Sequence, residues 1–131
     1  ISPNGRWVAY ASRESGDPRI YVAAFPGFTD RHQVSTGTGT MPVWRPDGKE
    51  LFFMAGTPAT QLSAVTINET GGKLTFGPIQ TLFTTAIRTS NSIFQYAAMP
   101  DGRFLILEPA VATAATSEPV TVVLNWTSLL K

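Results

Sequence analysis

Apolar residues fall in short runs along the chain, separated by glycine- and proline-rich punctuation. This pattern predicts strands at residues 7–12, 20–25, 32–35, 41–44, 51–54, 62–67, 79–83, 93–98, 104–107 and 120–126. No segment sustains a 3.6-residue period. Residues 110–117 carry several alanines, but Pro109 and Pro119 bracket them and valine and threonine interrupt them. They read as a loop, with at most one helical turn. The runs are apolar continuously rather than alternately. Ile20-Tyr21-Val22-Ala23-Ala24-Phe25 has no polar face, so the strand it forms is expected to be buried on both sides.

One turn recurs three times, as Ser2-Pro3-Asn4-Gly5-Arg6, Arg45-Pro46-Asp47-Gly48-Lys49 and Met99-Pro100-Asp101-Gly102-Arg103, each followed by an apolar run. Proline presets φ for the second position of a type I turn, and Asn or Asp suits the third. Glycine then takes the left-handed conformation that opens a return strand. Each copy therefore predicts a hairpin, and the set predicts a repeat architecture. Gly5 and Gly48 stand 43 positions apart, and Gly48 and Gly102 stand 54 apart. The first spacing matches the roughly 40–45 residues of a four-stranded propeller blade. The excess in the second is expected in loops around Gly71-Gly72 and residues 86–92. A propeller buries both faces of most sheets, whereas a sandwich buries one face of each. The fold class expected is all-β: a partial β-propeller of about three four-stranded antiparallel blades, the first and last incomplete. The blades are placed at about 1–40, 41–90 and 91–131 within a single segment.

Composition narrows the partners. The 131 residues are 43% apolar, as in a globular protein. Ten Lys and Arg against nine Asp and Glu leave a net charge of +1, and the cations are scattered. Nucleic acid is thus not the expected partner, because phosphate binding needs clustered cations. Without cysteine there is neither a disulfide framework nor a thiolate zinc site. The longest apolar run, Val120-Thr121-Val122-Val123-Leu124, is far short of the roughly 18 residues of a membrane span, so no membrane contact is expected. The chain opens at Ile1 directly on a turn motif, which reads as a piece of a longer protein.

Candidate chemistry is sparse, and the expectation is of no catalytic, cofactor-binding or metal-binding residues. The single histidine, His32, lies among Asp30, Arg31 and Gln33, and reads as a loop or edge residue rather than the base of a triad. No Gly-x-Ser-x-Gly elbow accompanies it. One histidine cannot build a zinc site. Asp17, Asp30, Asp47 and Asp101 stand singly in turns, without calcium-loop spacing. Gly37-Thr38-Gly39-Thr40-Met41-Pro42 has the look of a phosphate loop. Pro42 and Trp44 continue it into a strand, however, where a phosphate loop needs a helix N-terminus. Trp7, Tyr10, Tyr21, Trp44, Phe52, Phe53 and Phe104 are expected to pack between sheets, with a stacking platform for sugar or peptide as the alternative. Asn68-Glu69-Thr70 and Asn125-Trp126-Thr127 match the short glycosylation sequon.

The unit Ser2-Pro3-Asn4-Gly5-Arg6-Trp7-Val8-Ala9-Tyr10 resembles the WD40-like repeat of TolB-like β-propellers, found also in prolyl-oligopeptidase-type enzymes. Gln33-Val34-Ser35-Thr36-Gly37 and the stretch from Pro42 to Phe53 are similar to blade junctions in large bacterial proteins, some of which carry an N-terminal serine/threonine kinase domain. Pro119 to Trp126, then Leu129-Leu130-Lys131, resembles the C-terminus of such proteins, and Met99 departs from the usual serine. The resemblance implies six or seven blades, or about 260–300 residues. By strand count the first blade lacks its innermost strand and the last its outermost. It implies a non-enzymatic scaffold for a protein or peptide partner, periplasmic or otherwise extracytoplasmic, without cofactor. The alternative is an accessory or sensor domain of a receptor-like kinase or, less in keeping with this ending, of a peptidase. Two copies closing one six-bladed ring about a two-fold axis are a further expectation.

Overall fold

A computed structural model describes residues 1–87 and 94–108 of the chain. The expected strand at 120–126, the loop at 110–117, most of the loop at 86–92 and the sequon at Asn125 lie outside the described residues. So do the ending that resembles a C-terminus and the first residue of the strand expected at 93–98.

The described residues form nine strands and no helix. They are β1 (Trp7–Ser12), β2 (Arg19–Ala24), β3 (His32–Gln33), β4 (Gly39–Trp44), β5 (Glu50–Ala55), β6 (Gln61–Thr70), β7 (Lys73–Thr84), β8 (Tyr96–Ala98) and β9 (Phe104–Ile106). Every pairing is antiparallel. The strands make three sheets in chain order, β1-β2-β3, β4-β5-β6-β7 and β8-β9. No described helix is long and apolar enough to cross a membrane.

The second sheet buries both faces, as the unbroken apolar runs predict. Side chains alternate across a strand, so neighbouring residues of β5 enter different cores. Leu51 and Phe53 join Trp7, Ile20 and Val22 of the first sheet and Val34 just beyond it. Phe52 and Met54 join Leu62 and Ala64 of β6, Tyr96 of β8 and the half-buried Phe104 and Ile106 of β9. All four β5 side chains are buried. β2 behaves likewise, with Ile20, Tyr21, Val22 and Ala23 all buried.

The three repeated turns share one set of hydrogen bonds. The glycine N–H donates to the carbonyl three residues back: Gly5 to Ser2 at 2.9 Å, Gly48 to Arg45 at 2.9 Å and Gly102 to Met99 at 3.1 Å. The Asn or Asp oxygen accepts the next-but-one amide: Arg6 to Asn4 at 3.1 Å, Lys49 to Asp47 at 2.9 Å and Arg103 to Asp101 at 3.1 Å. The glycines have φ of +72°, +75° and +85°, the left-handed region that disfavours a Cβ. The third turn closes tighter. Met99 N–H reaches the Arg103 carbonyl, whereas Ser2 and Arg45 reach Trp7 and Glu50. Ser2 Oγ also accepts from Trp7 N–H at 3.0 Å, a bond methionine cannot make.

One expectation needs correction. Gly71-Gly72 is not a loop that absorbs the longer repeat. Both residues have positive φ (59° and 78°), and Thr70 pairs directly with Lys73, making a two-residue hairpin turn. Here the extra length lies in the strands themselves, 10 residues in β6 and 12 in β7, while most of residues 86–92, where the rest was expected, lies outside the described residues. Thr66, Asn68, Glu69 and Thr70 extend β6 with polar residues because that end of the hairpin reaches solvent, so apolar patterning ends before the strand does.

The first two sheets meet at Gly39. A Cβ there would fall 2.7 Å from Ile20 Cγ1 and 3.3 Å from Phe53 Cδ2. Ser35 Oγ anchors the connection, accepting from Ile20 N–H at 2.9 Å and donating to Gly37 O at 2.9 Å. Gly39→Ala is expected to cost about 1–3 kcal/mol by overpacking. Its urea midpoint falls, and adding Ile20→Ala costs less than the sum of the two single changes.

Candidate functional site

The turn ends of neighbouring sheets open onto two clefts. The first, about 690 Å³, lies between the turn at Pro3-Asn4 and the turn at Asp47-Gly48, with Trp7 and Trp44 in its wall and Asn68 and Glu69 at its far side. The second, about 370 Å³, lies between Arg45 and Glu50 on one side and Met99, Gly102 and Arg103 on the other. Each turn thus contributes its rigid backbone to the space beside the next.

The first cleft is polar and held across long sequence separations. Glu69 receives Asn4 Nδ2 at 3.0 Å and sits 2.8 Å from Arg6 Nη1, linking the end of β6 to the first turn. The indole N–H groups of Trp7 and Trp44 are buried without a hydrogen-bond partner among the described residues. Asp47 lies 3.4 Å from Arg45 Nε, and Lys49 is exposed at the rim. The second cleft holds the Arg45–Glu50 pair at 2.6 Å. Arg103 grips Asp101 through the side chain and holds its carboxyl below the usual aspartate range. Donors and acceptors of both signs on fixed backbone can bind a polypeptide, but nothing among them forms a nucleophile paired with a base.

A different surface lies on the face of the first sheet turned away from the second. Tyr10 and Tyr21 stack at 5.9 Å, and Phe28 meets Tyr10 edge-on at 6.4 Å. The Arg31 guanidinium lies 3.9 Å from the Tyr21 ring centre. It also pairs with Glu14 at 2.7 Å, a contact that lowers the Glu14 pKa. Phe28 is exposed although its backbone is left-handed, with φ of 53°. The sequence marks none of this grouping, because Phe28 and Arg31 reach the tyrosines only through the β2–β3 loop.

The residues singled out in the sequence do not converge. His32 Nε2 lies 3.2 Å from Asp30 Oδ1 and its ring rests against Phe76, at the outer strand of the first sheet and away from both clefts. Asp17 and Asp101 sit in separate turns. Among the described residues no three His, Cys, Asp or Glu side chains gather as a metal site. Gly37-Thr38-Gly39-Thr40-Met41-Pro42 leads into β4, so its amides do not converge at a helix N-terminus. Trp7, Tyr21, Phe52 and Phe53 are buried, while Tyr10, Trp44 and Phe104 are half-buried. Asn68 of the first sequon is exposed near the end of β6.

One buried polar contact ties the second sheet to the third. Met41, at the irregular point of β4, has φ of 50°, and its carbonyl accepts from Tyr96 Oη at 2.6 Å. Burial pushes the Tyr96 phenol pKa up from 10.0. Its neutral form is therefore the one the fold favours, and this stabilisation is present below about pH 10 and lost as pH rises above it. Tyr96→Phe leaves the carbonyl unpaired, at a cost of about 1–3 kcal/mol at pH 7. The gap between variant and wild-type urea midpoints is expected to shrink from pH 10 upward.

No family model matches the chain, and no curated protein matches its sequence.

Proposed function

We propose that the chain is a segment of a β-propeller that works as a scaffold, presenting the loops and clefts at its turn end to a protein or peptide partner. The architecture favours this reading in two respects. Each sheet begins at, or contains, the same hydrogen-bonded turn, and the second sheet packs one face on the sheet before it and the other on the sheet after it. Strand β4 packs beside β1 of the first sheet and beside β8 of the third, as strands of successive blades would.

The observation that carries the scaffold role is the first cleft. Its backbone is rigidly fixed by two copies of the turn, yet the side chains of Lys49 and Asn68 at its rim are exposed and take no part in either turn's hydrogen bonds. Conserving a frame while leaving the rim free is how loops on a rigid scaffold carry recognition. A peptide-display selection against the chain is expected to return binders that weaken at least tenfold on Lys49→Glu with Asn68→Ala, without loss of melting temperature. Failure to select any binder would overturn the reading. So would turnover of ester, peptide or phosphoester substrates that vanishes on His32→Ala.

A further inference from the structure

The first of the three repeated turns differs from the others in one side chain. All three place a cation after the glycine, Arg6, Lys49 and Arg103, but only the first has Asn where the others have Asp. In the third turn the carboxylate keeps its own cation: Arg103 Nε donates to Asp101 Oδ2 at 2.6 Å. Asn4 carries no charge to hold Arg6 in that way. Its Oδ1 accepts from Ser2 Oγ at 2.7 Å and from Arg6 N–H at 3.1 Å. Those two bonds fix the amide, so Nδ2 points out of the turn as a donor.

Both exported donors meet one carboxylate. Asn4 Nδ2 donates to Glu69 Oε2 at 3.0 Å, and Arg6 Nη1 lies 2.8 Å from Glu69 Oε1. A donor on one oxygen and a guanidinium beside the other make a carboxylate-binding arrangement. Asn4 and Glu69 both line the first cleft. The contact is open to exchange. Arg6 pairs with Oε1 without an aligned hydrogen bond, its side chain is 58% exposed, and exposed pairs of this kind are weak. Lys49, exposed on the facing turn of the same cleft, adds a second cation that attracts an incoming anion. Asp47, the other acid of the cleft, is already engaged by Lys49 N–H and by Arg45.

We propose that Asn4 and Arg6 form a carboxylate receptor in the first cleft, that Glu69 occupies it as an internal pseudo-ligand, and that an aspartate or glutamate side chain of the partner peptide displaces Glu69. This receptor rests on the scaffold reading and gives its cleft a ligand class, the acidic peptide. A basic side chain of the partner is disfavoured, because it would meet Arg6 and Lys49 at the same rim.

The probe is a Gly-Ser-Glu-Ser-Gly peptide capped at both ends, with its Gln counterpart as control. It is titrated onto the 131-residue chain while NMR follows the Asn4 side-chain amide and the Arg6 Nε–H. The Glu peptide is expected to shift both signals and the capped Gln peptide to leave them in place. Glu69→Ala removes the internal competitor, so the Glu peptide binds at least about fivefold tighter. Glu69→Gln, isosteric and uncharged, tightens it in the same direction and serves where Glu69→Ala loses stability. Adding Asn4→Asp, which keeps the turn as Asp47 and Asp101 do, puts a carboxylate where the donor was and cancels the gain, read at Arg6. Loss of Glu69 that weakens binding of the Glu peptide or leaves it unchanged overturns the proposal. So does equal binding of the capped Gln peptide. A Gln peptide with a free C-terminal carboxylate that binds more tightly than the Glu peptide overturns the side-chain assignment in favour of a chain end. Display-selected peptides that still depend on Lys49 would then leave the scaffold reading standing.

Discussion

Burial on both faces of β5 is the constraint on which the rest of this structure depends. Leu51, Phe52, Phe53 and Met54 alternate sides, so a single sheet could shield only half of them from water. The first sheet must therefore lie against one face and the third against the other, and the connections between sheets follow from that demand. Gly39 is the clearest consequence. It opens β4 where the first two sheets come closest, and Ile20 and Phe53 leave no room for a side chain. The second interface is sealed by a polar bond instead, with Tyr96 reaching the left-handed Met41 carbonyl across the gap.

The repeated turns serve the same stacking. Their hydrogen bonds are satisfied internally, so each turn projects as a rigid corner without help from the rest of the fold. Neighbouring corners then come together, with Pro3 close to Gly48. The clefts are what remains between corners of fixed shape. This separates two kinds of residue along one motif. Pro46, Asp47 and Gly48 are accounted for by backbone geometry, whereas Lys49 beside them serves the fold through its backbone alone and leaves its side chain exposed at the rim.

What the sequence alone determined was local. Strand β1 matched its expected bounds, and the three turns took the geometry their proline, Asn or Asp, and glycine demand, because those preferences reside in φ and in one side-chain oxygen. Two-sided burial was also legible, since continuous apolar runs leave no face for water. The length of β6 and β7 was not, because their solvent-facing ends are polar and carry no hydrophobic signal. The clefts were decided by tertiary structure alone. Asn4 and Arg6 meet Glu69 across 65 and 63 positions, and Tyr96 meets Met41 across 55. Polar partners so far apart leave no periodicity in a single sequence. Their pairing follows only once stacking has brought the sheets together.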